Sequence, residues 1–340
     1  MMEPGSFLTA FVWGVLPAAV LLAIVYWLDR YEKEPLRLLA IALLFGAILA
    51  PLVAVLLEDA LDVRSSAFVS TAIPFGQLTA VTPILEEVIR GLAILVVFFL
   101  VRYEVDDLLD GMVYGAVVGI GFGMAANFWA ILQAPNFGQS ITPQLPGIMV
   151  AGFNHVFYGA VIGVIIATAR RGTLARLAGA AVVGVAVAAG LHLIHDYLPK
   201  WLSSGNAEPG SAAGVISNIP NFFGLVGLAV LVVWLLGREK VLVGRELQEE
   251  VAAGVVTRDE YATVTNSFKR FRRLLGSLGK GDQWRLRRRL YTLEVELAFR
   301  KHMQRSERTR AAKFQDEAAY RQQIVETRNE LQGAGKEVAP

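Results

Sequence analysis

The feature that most constrains this chain is how often it runs apolar for longer than a soluble core helix needs. Residues 8–28 carry no charged side chain, and further apolar segments fall at 37–57, 72–101, 109–133, 146–169, 176–197 and 213–236. Roughly 20 helical residues cross the hydrocarbon core of a bilayer, so each segment is long enough to span. In lipid every backbone N–H and C=O must be satisfied within the segment, which favours helices over open strands. The expectation is an all-α fold: a polytopic membrane bundle of about seven transmembrane helices over 1–237, then a helical tail over 238–340. Composition agrees, with 54% of the 340 residues hydrophobic and 18% charged, too apolar a balance for a soluble domain of this size. No Lys or Arg precedes the first run, and the run is long enough to span, so it reads as a retained helix.

Charge sets the expected orientation. Arg30, Lys33 and Arg37 follow the first segment, Arg102 the third, Arg170, Arg171 and Arg176 the fifth, and Arg238 and Lys240 the seventh, while the alternate loops hold only Arg64 and Lys200. The positive-inside rule then predicts a multi-pass protein of the cell membrane with its N-terminus outside and its C-terminus cytoplasmic. There is no cysteine, which excludes disulfides, iron–sulfur clusters and Cys-ligated zinc.

Residues 238–340 hold 22 Lys/Arg against 15 Asp/Glu, the reverse of the acidic balance before them. Thr257-Arg258-Asp259-Glu260 is a capping-box sequence, predicting a helix through Phe268, Phe271 and Leu275 that ends near the glycines at 276, 279 and 281. Two more helices are expected at about 282–306 and 308–331. The basic, aromatic stretch KRFRRLLGSLGKGDQWRLRRRL suits anionic lipid headgroups beside a membrane, and no nucleic acid is expected as a partner. In the fourth segment Gly111, Gly115, Gly119 and Gly123 share one helix face, predicting a groove for a neighbouring backbone.

Ionisable groups at membrane depth cost ~2.5–3.5 kcal/mol each at a helix centre, so they normally face an interior cavity and mark function. Glu86 lies 16 residues, ~24 Å, before Arg102, in the outer half of the third segment. Asn127 lies four turns after Gly111, His155 two to three turns into the fifth segment, and His192, His195 and Asp196 in the last turns of the sixth, all at a similar depth. Glu86 and Glu87 point about 100° apart, so one can serve as a base while the other pairs with Arg90, four residues from the first and three from the second. Such a layer suits hydrolysis: a carboxylate takes a proton from water, a histidine orients that water, and Asn or His steadies an oxyanion. Zinc on Glu86, His155 and His192 is the weaker alternative, because no HExxH is present and the donors come from separate helices.

These stretches also resemble a known family. DRYEKEP at 29–35, PILEEVIRG at 83–91, DDLLDGMVYGAVVGIGFGMAANFW at 106–129, FNHVFYGAVIGV at 153–164 and LHLIHDYL at 191–198 are similar, in order, to the motifs of the PrsW intramembrane proteases, relatives of the CAAX-prenyl and bacteriocin-processing membrane peptidases. The resemblance implies a glutamic-type peptidase, without a cofactor, that cuts membrane-anchored proteins such as anti-sigma factors in a site-1 manner. It assigns catalysis to Glu86, Glu87, His155 and His192 with Arg90 in support; Asn127, Asp196 and Asp110 are expected to support them too, Asp196 standing where the family tends to have Asn. The family pattern Phe-x-x-x-Glu-Asn is departed from at Ala126, which stands where the glutamate is usual. Two alternatives accompany the peptidase: a catalytically impaired relative that binds membrane proteins, raised by Ala126, and a proton-coupled transporter using the Glu and His residues as a relay.

Overall fold

The computed structural model describes residues 4–29, 31, 33–60, 81–102, 104–105, 107–133, 145–202, 216, 218–306 and 316–336. Among them all regular structure is helical: α1 (Pro4–Leu28), α2 (Leu36–Leu44), a π-helical turn (Phe45–Leu49), α3 (Ala50–Ala60), α4 (Val81–Leu100), α5 (Leu108–Gln133), α6 (Leu145–Thr168), α7 (Leu174–Leu202), α8 (Ile219–Ala252), α9 (Arg258–Val264), α10 (Ser267–Leu275), α11 (Gln283–Ser306) and α12 (Glu317–Lys336). The first residues of the third and seventh expected spans, the start of the last tail helix and the basic markers Arg30 and Arg64 lie outside the described residues.

Among the described residues five stretches are long and apolar enough to cross a membrane: Phe7–Leu28, Leu36–Leu57, Leu108–Leu132, Leu174–Leu198 and Ile219–Ala252, with a shorter apolar stretch at Gly152–Thr168. The second runs unbroken through α2, the π-turn and α3. α4 is 20 residues long, yet it carries Glu86, Glu87 and Arg90, and three charges in one span are too many for composition alone to nominate it.

Two compact units make up the chain, one of Met1–Asp29 with Glu34–Val232 and one of Arg30–Lys33 with Val233–Pro340. In the first, α5 is the central helix: 67% of its spanning window is buried, against 17–33% for the other four. Its glycines explain this. A Cβ on Gly115 would overlap the Gly159 carbonyl of α6, and one on Gly163 would overlap the Gly111 carbonyl. Gly119 lies against the His155 carbonyl and Gly123 against Gly152. The facing glycines of α6 are as necessary as those of α5, because lipid supplies no hydrophobic drive and helices associate through close dispersion contact. On its other side α5 meets the π-turn, where Gly46 abuts the Val118 backbone and Gly121 abuts Leu43 and Ala47. α4 packs on α5, α6 and α7, which brings its charged turn to the centre of the unit.

In the second unit α8 continues past Gly237, the expected boundary between bundle and tail, to Ala252. Residues 238–252 are mostly good helix formers, and one glycine costs only about 1 kcal/mol. The capping box forms: Glu260 N–H donates to Thr257 Oγ1 at 3.2 Å and Thr257 N–H to Glu260 Oε2 at 2.7 Å. The single helix expected after it is divided into α9 and α10, because the Asn266 side chain accepts from Lys269 N–H at 3.0 Å and starts a new helix. Two apolar clusters hold the unit, one with Tyr31, Val243, Leu247, Tyr291 and Val295, the other with Leu290, Leu293, Leu297 and Ile324. Around them Lys301 and Arg321 converge on Glu250 at 2.7 and 2.8 Å, and Arg328 meets Glu260 at 2.7 Å.

Candidate active site

α4 begins at Val81, so Pro83 falls in its first turn, where a missing N–H removes no helical hydrogen bond. The following turn carries Glu86, Glu87 and Arg90 inward; Glu86 is 3% exposed, Glu87 and Arg90 fully buried. Arg90 pairs with Glu87, three residues before it. Its other terminal nitrogen reaches His155 Nδ1 of α6 at 2.7 Å, and His192 Nδ1 of α7 lies 2.9 Å from Glu87 Oε1. Three helices are thereby joined through one buried chain of polar groups.

The hydrogen-bond inventory fixes how the rings face. A guanidinium only donates, so His155 Nδ1 accepts, and the ring proton is left on Nε2. An ionised carboxylate only accepts, so His192 carries its proton on Nδ1 toward Glu87. His192 Nε2 then points toward Asp196 Oδ2, 3.6 Å away, just beyond direct hydrogen-bond reach. Glu87 Oε2 and Arg90 Nε are buried without a hydrogen-bond partner among the described residues, so the chain retains one acceptor and one donor for a further polar group.

Aromatic rings wall the cluster. The Phe122 ring lies 4.3 Å from the Arg90 guanidinium and 5.1 Å from the His155 ring. Tyr158 stacks on His192 at 4.9 Å, and its hydroxyl accepts from Asn221 Nδ2 at 2.8 Å. Asn154 lies 3.4 Å from both His195 Nε2 and Asn218 Oδ1, forming a neighbouring polar node. Sequence reasoning named none of Phe122, Asn154, Tyr158 and Asn221 as site residues. The available signal was helical spacing: Tyr158 is three residues after His155, and Asn154 precedes it.

Of the residues singled out from sequence, Glu87, Arg90, His155 and His192 come into direct contact, and Asp196 borders them. Glu86 is buried one residue along the same turn of α4. Asn127 is buried too, its amide filling the space that Gly152 leaves by lacking a Cβ, about one turn of α6 before His155. Ala126 is buried one turn after Phe122. Asp110 stands elsewhere. It begins α5, accepting from Asp107 N–H at 2.8 Å, while Asp107 Oδ1 accepts from Leu109 and Asp110 N–H at 2.6 and 3.1 Å. Twelve residues, or ~18 Å of helix, separate it from Phe122, and its place is that of a cap.

The comparison with family models falls almost wholly on this same unit. A family described as PrsW family intramembrane metalloprotease matches residues 34–235, a stretch containing every residue of the buried chain. Protease PrsW of Geobacillus kaustophilus (strain HTA426) is 27% identical over 153 residues, which are 44% of this chain and 62% of that relative. The aligned region therefore spans somewhat under two thirds of the relative's length. No solved structure matches.

Proposed function

Since the chain belongs to the PrsW family of intramembrane metalloproteases, we propose that it is a membrane-embedded endopeptidase cutting membrane-anchored proteins, with water as the nucleophile. The observation that carries this is the buried chain Glu87–Arg90–His155 with His192 held on Glu87, at a depth where ion pairs are expensive and normally serve chemistry. We count α4 and α6 as spans beside the five that composition supports, and with the positive-inside rule this reading assigns the layer to the outer half of the bilayer and the C-terminal tail to the cytoplasm. Substrates of the anti-sigma-factor kind, cut on the outer side, fit that depth.

The family description implies a metal, and the donors argue against one. Zinc needs three convergent His or carboxylate lone pairs, and no such group of three occurs among the described residues. The Arg90 guanidinium already lies between Glu87 and His155, so a fixed cation occupies the position a metal would take between those two donors. The residues do not fit a resident metal, and no step is routed through one.

In the mechanism that follows, Glu87 is neutralised by Arg90 and holds the Nδ1–H of His192, which fixes the ring's orientation. His192 Nε2 and Glu86 share the proton taken from water as its oxygen adds to the scissile carbonyl. His155 Nε2–H donates to the oxyanion, and the proton returns to the departing amine as the C–N bond breaks. Reconstitution with a panel of single-span substrates tests this. Cleavage is expected from the wild type, with Glu86→Gln and His155→Ala each slower by roughly 100-fold or more. Unchanged cleavage in Glu86→Gln would sink its assignment as a base.

One observation favours a second reading, a relative that binds membrane proteins and cleaves them poorly: Ala126 is buried one turn from the Phe122 ring that covers Arg90. Wild type without cleavage, and activity gained in Ala126→Glu, would decide for it.

A further inference from the structure

Beyond Gly237 the described residues expose six large apolar side chains, and four of them, Phe268, Phe271, Leu275 and Leu278, belong to α10 and the turn after it. They are 51–70% exposed, whereas the apolar residues of α8 and α11 largely fill the core of the unit. On a helical wheel Phe268, Phe271 and Leu275 fall within about 60° of one another, on one face of α10. Of the five cations nearby, Arg272 borders that face and Lys280 follows the turn after it, while Lys269, Arg270 and Arg273 lie on the opposite side of α10. Arg272 is exposed beside the Phe268 ring, 6.0 Å away. Lys269 and Arg273 share the single carboxylate of Asp259, so the patch keeps a net positive charge. Asn266, Phe268, Lys269, Arg272 and Arg273 also line an open cleft of about 330 Å³.

The same unit shows where α10 is held. Ser267 Oγ donates to Tyr31 Oη at 3.2 Å, and the Arg270 guanidinium stacks over the Tyr31 ring at 5.2 Å. Tyr31 follows the end of α1, a spanning helix, by three residues, which keeps it near headgroup depth. In α8, Arg238 lies over Trp234 at 4.9 Å, the pairing of aromatic and basic side chains that marks the end of a membrane span.

We propose that α10 is an interfacial anchor, with Phe268, Phe271, Leu275 and Leu278 set among the acyl chains of an anionic leaflet and Arg272 and Lys280 on its headgroups. Exposed aromatics on a soluble surface carry a hydration penalty that a leaflet removes, and the flanking cations match anionic lipid in sign. A docked acidic protein would satisfy the cations equally well. Tethering of α10 to Tyr31 favours the bilayer, which is already adjacent and needs no recruitment.

The absence of cysteine makes a direct test simple. A Leu275→Cys variant of the full chain, labelled with an environment-sensitive fluorophore, is placed in nanodiscs of phosphatidylcholine alone or with phosphatidylglycerol. Asn329→Cys, at an exposed position of α12, serves as control. The probe at 275 is expected to be quenched by spin-labelled lipid more strongly in the anionic discs. Adding Arg272→Gln should shift its bound-to-unbound ratio roughly fivefold toward water. Equal lipid quenching in both discs, or lipid quenching no greater than at position 329, overturns the proposal. Shielding from aqueous iodide without lipid quenching overturns it in favour of a protein partner.

Discussion

Glu87 in the first unit and Glu294 in the second are both fully buried carboxylates, and their surroundings differ completely. Glu87 accepts from Arg90 and His192 on one oxygen. Neither oxygen of Glu294 has a hydrogen-bond partner among the described residues. Burial holds the Glu294 carboxyl well above the usual range, the charge of Glu260 pushes it further, and Arg328 only partly opposes them. The first carboxylate is kept in place by Arg90 one turn along its own helix and by His192 of α7, which is how a reacting group is positioned. The second is pushed toward its neutral form by burial and by Glu260, and has the character of a structural liability.

The largest effect should come from removing the partner of the first. Arg90→Met leaves Glu87 uncompensated, and thermal unfolding in detergent should show a loss of about 3–5 kcal/mol together with all cleavage. Adding Glu87→Met should return most of the stability and none of the cleavage, since an apolar pair of similar volume is tolerated where a lone charge is not. A double variant that stays as unstable as Arg90→Met would mean that the pair does not act as a unit.

Glu294 should respond in the opposite direction. Glu294→Met is expected to stabilise the tail at neutral pH by about 1–3 kcal/mol, read from hydrogen-exchange protection of α11 in the full chain. The sign with pH follows from its raised folded value. Below its ordinary value of 4.5 both the folded and unfolded chains hold the proton, and Glu294 carries no penalty. As pH rises, the unfolded chain releases the proton first, so stability falls until the folded carboxyl also ionises. In Glu294→Met that decline should be absent; the same slope in both proteins would assign it to another group.

The smallest effect belongs to Thr257→Ala, which removes the cap that orders Glu260, the neighbour acting on Glu294. A loss of about 1 kcal/mol is expected, confined to exchange of α9 amides. Equal loosening of α4 would break the distinction drawn between the two carboxylates.

Much of this was legible beforehand, though unevenly. The α5 glycines stand out because a four-residue repeat on one face has few explanations in a membrane helix. Their counterparts Gly152, Gly159 and Gly163 are spaced by seven and four, a pattern easily passed over, and only the contact shows that both helices had to be bare. α4 was found by its flanks, since its three charges hide it from a purely compositional measure. The pairing of Arg90 was ambiguous, because three and four residues are both neighbouring positions on a helix and the choice rests on side-chain direction. Asp110 sat inside a matching motif, but the turn before α5 needed a reciprocal cap and used it there.

What the amino-acid sequence determined alone was the class of structure and the presence of costly polar groups within it, because backbone satisfaction in lipid permits helices and little else. What the tertiary structure decided was which of those groups meet. α6 seats closely on α5, and α7 reaches α4 where Gly91 leaves room for Val185 and α6 where Gly184 meets Ile162. The α5–α6 seat is set by paired glycine faces from two helices, the others by a glycine on one helix and a side chain or backbone on the next, and no single segment encodes them.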